Sequence, residues 1–119
     1  MFNVLVVEDN PEFCDAIRKC LLKIGCDVTI SQTAEAGIEQ LKEVQYDAVF
    51  ASLCLHGMGG RGLARWVKTN GMNGMKFFIT TSWKGEMEPG LLTFDGIHDV
   101  IRKPFRFNEV RDKVLEHLG

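Results

Sequence analysis

The sequence predicts an α/β domain in which helices cover both faces of a five-stranded parallel sheet. Five short apolar segments alternate along the chain with stretches of helical spacing, and the connections between them are short. The first segment, Val4–Val7, is apolar throughout, which is typical of a strand buried on both faces. With 119 residues, 45% of them hydrophobic, the chain is expected to form one doubly wound domain over residues 1–119.

The first strand and the first helix carry the clearest local signals. Val4–Val7 ends in two acids, Glu8 and Asp9. Asn10 is a suitable N-cap, and Pro11 after it fits the first helical position. Gly25 is suited to end the helix. Between Pro11 and Gly25, one apolar stripe at helical spacing consists of Phe13, Ala16, Ile17, Cys20, Leu21 and Ile24.

The remaining elements follow in the same alternation. The other strands are predicted at residues 27–30, 48–53, 77–80 and 96–101, and helices are predicted after Thr33, over 61–68 and around Val110, Val114, Leu115 and Leu118. Between residues 83 and 94 we expect a short or distorted fourth helix, because Pro89-Gly90 interrupts it. Its apolar residues are expected to be divided between the core and a partner-binding patch; they are Met87, Leu91, Leu92 and Phe94.

The composition excludes several classes of protein. The formal net charge of −2 provides no basic field for nucleic acid or an anionic membrane. No apolar run approaches the roughly 20 residues that span a bilayer, and no basic segment precedes the first apolar run. A cytoplasmic location is therefore expected. The four cysteines form no C-x-x-C pair and are expected to be small buried hydrophobic residues.

Chemically useful side chains follow four of the five predicted strands. Glu8 and Asp9 follow the first strand, Ser52 ends the third, Thr81 follows the fourth and Lys103 follows the fifth. The carboxyl ends of parallel strands meet at one edge of a sheet, where ligands bind. Carboxylates suit a hard divalent cation, whereas a hydroxyl and an ammonium suit the oxygens of a phosphoryl group.

These residues lie within motifs that resemble the receiver domains of two-component response regulators over essentially the whole chain. The matching segments are residues 4–9 with Asn10-Pro11, residues 46–49, Gly57-Met58 with Gly60, Thr81, Gly96 and Lys103-Pro104-Phe105. The resemblance implies a flavodoxin-like fold with strand order 2-1-3-4-5 and five helices. It also implies that an aspartate ending the third strand accepts a phosphoryl group from a histidine kinase. The acidic pair would help to hold Mg²⁺, and the hydroxyl and the lysine would contact the phosphoryl oxygens.

The chain departs from this pattern at the positions that matter most. Ser52 falls on the phosphoacceptor aspartate, and a serine cannot form an acyl phosphate. Val100 falls where receivers carry a Tyr or Phe whose ring switches between exposed and buried positions, three residues before the lysine. His56 stands where the family usually has a proline, and Gly59 where an acid is common. The resemblance therefore implies an atypical pseudo-receiver, which is not an enzyme and acts as a phosphorylation-independent interaction module in a phosphorelay. No cofactor is expected, and Mg²⁺ binding by Glu8 and Asp9 would be weakened.

The resemblance also implies protein partners, such as a histidine kinase, an output domain or another signalling protein. The expected surface is that of the fourth helix, fifth strand and fifth helix, which can also form a homodimer. One alternative function is a metal-dependent phosphoacceptor that uses Ser52 or His56, and another is a purely structural dimerisation domain. A dinucleotide site at the G-x-G-x-x-G match of residues 57–62 is disfavoured, because the next strand does not end in an acid.

Two of the site residues also have simpler interpretations. Lys103 can act as a plain counter-charge for the acidic pair, and without an acid at position 52 it can pair permanently with Asp9. Thr81 can be a strand-end hydroxyl bonded to the backbone.

Overall fold

The computed structural model describes residues 2–72, 74–83 and 95–119, and these ranges contain five strands and four helices. In chain order they are β1 (Asn3–Val7), α1 (Pro11–Ile24), β2 (Asp27–Ser31), α2 (Ala34–Glu43), β3 (Ala48–Ser52), α3 (Gly59–Thr69), β4 (Lys76–Thr81), β5 (Asp99–Arg102) and α4 (Phe107–Leu118). None of the helices in these ranges combines the length and the apolar character needed to cross a bilayer.

The five strands form one parallel sheet in the order β2-β1-β3-β4-β5, which confirms the predicted topology. The register pairs Val7 with Ala51, and Ser52 with Thr80. It also pairs Thr81 with Arg102. This register brings the ends of β1, β3, β4 and β5 to the same edge of the sheet, where Glu8, Ser52 and Lys103 lie.

Apolar side chains cover both faces of the sheet, as the unbroken apolar run of β1 predicts. Val4 and Val6 belong to one core cluster with residues of α1 and α4, whereas Leu5 and Val7 belong to a second cluster with residues of α2 and α3. All four of these residues are at most 1% exposed. Alternate side chains of one strand therefore fill two cores, which requires apolar residues at every position.

Polar side chains cap the beginnings of α1 and α2, and a glycine ends α1, at the positions that the sequence indicates. The Asn10 side chain accepts hydrogen bonds from the backbone N–H groups of Glu12 and Phe13, at 2.9 and 3.2 Å. Gly25 ends α1 in the left-handed conformation, with φ of 97°. Thr33 caps α2 by accepting the N–H of Ala36 at 3.0 Å. These caps satisfy donors and acceptors that a helix end leaves open.

Several boundaries differ from the predictions. β5 begins at Asp99 instead of residue 96, because Gly96 adopts a φ of +81° in a turn. α3 begins at Gly59, two residues earlier than predicted, and β3 ends at Ser52. Cys54 is exposed, whereas Cys14, Cys20 and Cys26 are buried as predicted.

The predicted fourth helix lies outside the described residues. The described ranges therefore hold four helices, and the predicted total of five is not reached within them. The four apolar residues that were assigned to that helix, from Met87 to Phe94, fall in the same undescribed segment.

Candidate functional site

Lys103 joins three of the predicted site residues at the carboxyl edge of the sheet. Its Nζ lies 2.5 Å from Glu8 Oε1 and donates a hydrogen bond to Ser52 Oγ at 3.2 Å. The ammonium also lies 4.2 Å from the centre of the Phe13 ring, a favourable cation–π position. The Lys103 and Glu8 side chains are only 7% and 4% exposed. The two charges are therefore largely removed from water and compensate each other.

The backbone around α1 holds Glu8 in this orientation. Glu8 Oε2 accepts the N–H of Asn10 at 3.1 Å, so the residue that caps α1 also anchors the carboxylate. Oε1 makes no hydrogen bond of regular geometry within the described residues, although it lies at contact distance from Lys103. The Glu8–Lys103 contact is therefore a buried ion pair.

Two residues of α1 that were not predicted as site residues belong to this site: Phe13 was predicted only as part of the apolar stripe, and Cys14 only as a small buried hydrophobic residue. Phe13 packs under the Lys103 ammonium, and its ring also meets Phe105 edge to face, with centroids 6.1 Å apart. The Cys14 Sγ donates to the backbone oxygen of Glu8 at 3.1 Å. Burial, with the nearby charge of Glu8, raises the pKa of the Cys14 thiol. Helical spacing indicates that Phe13 faces inward, but it does not show that Phe13 meets Lys103 or that Cys14 meets the backbone of Glu8.

The acidic pair is divided between two environments. Glu8 is buried and paired with Lys103, whereas Asp9 is exposed. The interpretation that Lys103 pairs with Asp9 is therefore wrong, because the side chain of Glu8 points to the end of β5 and that of Asp9 lies at the surface. Within the described residues, Asp9 is the carboxylate of this pair that has no cationic partner.

The residues present do not fit a magnesium site built on three carboxylates. Mg²⁺ requires near-ideal octahedral geometry and is bound through carboxylates. Glu8 is already neutralised by Lys103, and position 52 offers a hydroxyl that accepts from the same ammonium. Of the acidic pair, Asp9 is the carboxylate that remains open to solvent in the described part of this edge.

Thr81 lies at the same edge but bonds locally. It is 2% exposed, and its Oγ1 accepts the N–H of Trp83 at 3.0 Å. The carbonyl of Trp83 in turn accepts from the guanidinium of Arg102. Thr81 therefore directs the chain as it leaves β4, in agreement with the simpler of its two interpretations.

Neither alternative nucleophile is activated in this structure. Ser52 is 4% exposed, and its hydroxyl accepts from an ammonium, which is not a base. His56 is exposed in the loop that precedes α3. An activated serine needs an adjacent general base within hydrogen-bond reach, and none of the described side chains bonds to Ser52 in this way.

Val100, which the resemblance to receivers assigns to the switch position, packs against the core cluster that includes residues of α2 and α3. It is half-buried at the second position of β5. A β-branched side chain has one dominant rotamer and no ring that can exchange between buried and exposed positions. The inward orientation of Val100 is consistent with a fixed role in packing.

A second ionic cluster, which the sequence analysis did not identify, joins α3 to the segment before β5. Asp95 is fully buried and accepts from Nε of Arg61 at 2.6 Å and from Nε of Arg65 at 2.8 Å. Burial alone would raise the pKa of Asp95, but the hydrogen bonds from Arg65 and Arg61 outweigh it, so the pKa is lowered. The spacing of the two arginines, four residues apart on one helix, is the only signal in the sequence.

The comparisons with known proteins agree with this architecture. The sequence profile of the response regulator receiver domain matches residues 4–115. The transcriptional regulatory protein QseB of Escherichia coli O157:H7 is 32% identical over 107 residues, which cover 90% of this chain and 48% of QseB. The chain spans half or less of the length of each of the first curated relatives it matches.

Solved structures show the same fold at low sequence identity. The chemotaxis response regulator CheY4 of Vibrio cholerae has a TM-score of 0.90 at 15% identity, covering 99% of both chains. The receiver domain of sensor histidine kinase PA1611 from Pseudomonas aeruginosa PAO1, which has a magnesium ion coordinated in its active-site cleft, has a TM-score of 0.86. It is 22% identical, and the match covers 99% of this chain and 98% of that one. On its matched profile, its sheet order and the edge that gathers Glu8, Ser52, Thr81 and Lys103, the chain belongs to the response regulator receiver domain family of two-component signalling.

Proposed function

We propose that this receiver domain has lost the phosphorylation switch and acts as a phosphorylation-independent, non-enzymatic interaction module. One observation carries the proposal: Ser52 ends β3, where the resemblance to receivers assigns the phosphoacceptor aspartate, and its hydroxyl is held by a lysine that is already paired with Glu8. A serine hydroxyl lacks the carboxylate that forms an acyl phosphate. Val100 supports the same conclusion, because it has no ring with which to report a change at the site.

The ion pair also supports a single functional state. In the proposal, Lys103 remains bound to Glu8 whatever the activity of an upstream kinase. Since the pair is largely withdrawn from solvent, moving the lysine away would leave a buried carboxylate uncompensated, which is strongly unfavourable. Weak Mg²⁺ binding is part of the proposal, because Glu8 is already paired with Lys103 and only Asp9 of the acidic pair is a carboxylate without a salt bridge in the described part of the chain.

The decisive experiment is incubation with acetyl phosphate and Mg²⁺, followed by intact mass measurement and mapping of any modified residue. The unmodified protein should take up no phosphoryl group, and the Ser52→Asp variant should take up one at position 52. Ser52→Asn is the matched control, since it has nearly the same size as aspartate but no nucleophilic carboxylate. Uptake by the unmodified protein would overturn the proposal, and mapping to Ser52 or His56 would favour the phosphoacceptor alternative.

The proposal includes a protein partner that binds through the surface of β5 and α4, where α4 is the helix that was predicted as the fifth. Receiver domains interact with kinases and output domains, and Leu115 of α4 is a large apolar side chain that is 49% exposed. A second copy of the chain is the simplest partner to test. Sedimentation over a range of concentrations should show self-association that Leu115→Glu weakens.

Leu22→Glu provides the matched control, because Leu22 is also 49% exposed but lies on α1. A purely monomeric protein at all concentrations would exclude homodimerisation. Equal weakening by both variants would show that the effect is general and not specific to α4.

A further inference from the structure

A cluster of three potential metal ligands lies at the end of the sheet opposite to Lys103. Asp99 begins β5, and Glu116 and His117 belong to the last turn of α4. Asp99 Oδ2 lies 3.0 Å from His117 Nε2. One ligand atom from each of the three residues lies within 4.8 Å of the other two.

We propose that Asp99, Glu116 and His117 bind a divalent transition-metal ion, with Zn²⁺ as the best chemical match. One imidazole and two carboxylates are a mixed nitrogen and oxygen donor set, which suits borderline ions such as Zn²⁺ better than Mg²⁺ or Ca²⁺. Zinc bonds of about 2.0–2.2 Å place tetrahedral ligand atoms roughly 3.4 Å apart. The Asp99–His117 distance is already close to this value, and Glu116 needs only a small side-chain movement.

Two of the ligands are held in place before any metal binds. The side chains of Asp99 and His117 are 24% and 18% exposed. The imidazole of His117 also meets Phe78 edge to face, with ring centroids 5.2 Å apart. Glu116 is exposed. The site thus has two oriented ligands and one exposed ligand on the solvent side, which gives an ion a path of entry.

Lys113 modifies the charge of this site. Its Nζ lies 2.8 Å from Asp99 Oδ1, so it occupies one carboxylate oxygen and leaves Oδ2 facing His117. As a cation, Lys113 also opposes metal binding.

The test is Zn²⁺ titration of the untagged protein by calorimetry, together with the visible absorption of a Co²⁺ complex as a probe of coordination. His117→Ala should weaken Zn²⁺ binding by about 10- to 100-fold, the range measured even for outer partners of metal ligands. Glu116→Gln should weaken it by about tenfold. Because Glu116 is exposed, this variant keeps the fold even if His117→Ala disturbs the docking of α4. Lys113→Met should strengthen binding, since it removes a competing cation.

Two variants serve as controls. His56→Ala and Cys54→Ser remove an exposed imidazole and an exposed thiol outside the cluster, and both should leave the affinity unchanged. Saturable binding that His117→Ala and Glu116→Gln both weaken would establish the site. Lack of saturable binding, unchanged affinity in Glu116→Gln, or loss of binding in either control would overturn it.

Discussion

Lys103 and Glu8, which follow the two strands β5 and β1, form a buried ion pair with 2.5 Å between Nζ and Oε1. The pair links the edge strand of the sheet to a central strand across β3 and β4. Ser52, which ends β3, lies between them as the second partner of the ammonium. The pair therefore contributes both to the stability of this edge and to the chemistry of position 52.

Glu8→Gln should destabilise the protein, because it leaves the Lys103 ammonium buried without a counter-charge. Removing one partner of a buried pair costs about 3–5 kcal/mol, and urea unfolding measures it as a lower midpoint. Asp9→Asn is the control and should change the free energy of unfolding by less than ~0.5 kcal/mol, since Asp9 is exposed. Equal losses in the two variants would contradict the ion-pair assignment.

Ser52→Asp should raise the affinity for Mg²⁺ by at least about tenfold, equivalent to ~1.4 kcal/mol. The new carboxylate would adjoin Glu8 and Lys103 and would restore a third acid beside Asp9. Calorimetric titration of Ser52→Asp against Ser52→Asn separates the effect of charge from that of size. If the two variants bind Mg²⁺ equally, Glu8 and Asp9 do not converge on position 52, and the site must be redrawn.

Asp95→Asn should weaken the attachment of α3 to the segment before β5. The carboxylate is fully buried and accepts from two arginines that are themselves about half exposed. Because solvent screens the arginines, we expect a loss of about 1.5–3 kcal/mol, the range for hydrogen bonds to charged groups. The exposed pair Asp15–Lys19 provides the control: Asp15→Asn should change stability by at most ~0.5 kcal/mol. A similarly small effect at Asp95 would show that the arginines do not stabilise the fold.

The stability of the protein should fall in mildly acidic solution through His98. His98 as a whole is exposed, but partial desolvation of its imidazole, with the nearby positive charge of Lys76, lowers its pKa, and its Nδ1 accepts the N–H of Phe77 at 2.9 Å. The unfolded chain therefore takes up this proton first as the pH falls. The stabilising contribution is complete above the unfolded pKa of about 6.5 and is lost as the pH falls from there through the folded pKa.

His98→Gln isolates this contribution, because glutamine can accept the same hydrogen bond but does not titrate. Urea unfolding between neutral and mildly acidic pH should give a smaller loss of stability for the variant than for the unmodified protein. Parallel curves for the two proteins would show that His98 does not contribute to the pH dependence.

Gly60→Ala should be destabilising because α3 approaches β3 closely at this residue. A Cβ on Gly60 would lie 2.4 Å from the backbone oxygen of Ser52 and 2.7 Å from Ile79. Overpacking of this kind costs about 1–3 kcal/mol. Gly74→Ala, where a Cβ would meet nothing within 4 Å, is the matched control for thermal unfolding. Equal melting temperatures for the two variants would contradict the close approach.

The sequence alone determined where most strands and helices lie and that the strands run parallel. The unbroken apolar run Val4–Val7 predicted a strand that is buried on both faces. Asn10, Pro11 and Gly25 set the ends of α1 through local backbone chemistry. These signals are short-range, so they can be read from neighbouring residues. The boundary of β5 was predicted three residues early, because Gly96 adopts a positive φ and the chain turns there before the strand begins at Asp99.

The tertiary structure decided which charges meet. The sequence placed Glu8 and Asp9 side by side, but only the sheet register shows that Lys103 pairs with the first and leaves the second in solvent. The same holds for Asp95 with Arg61 and Arg65, and for Asp99 with His117. These partners are 18 to 95 residues apart in the chain. Ion pairs form over a few ångströms in space. The separation of two residues along the chain does not predict that distance, which depends on how the strands and helices pack.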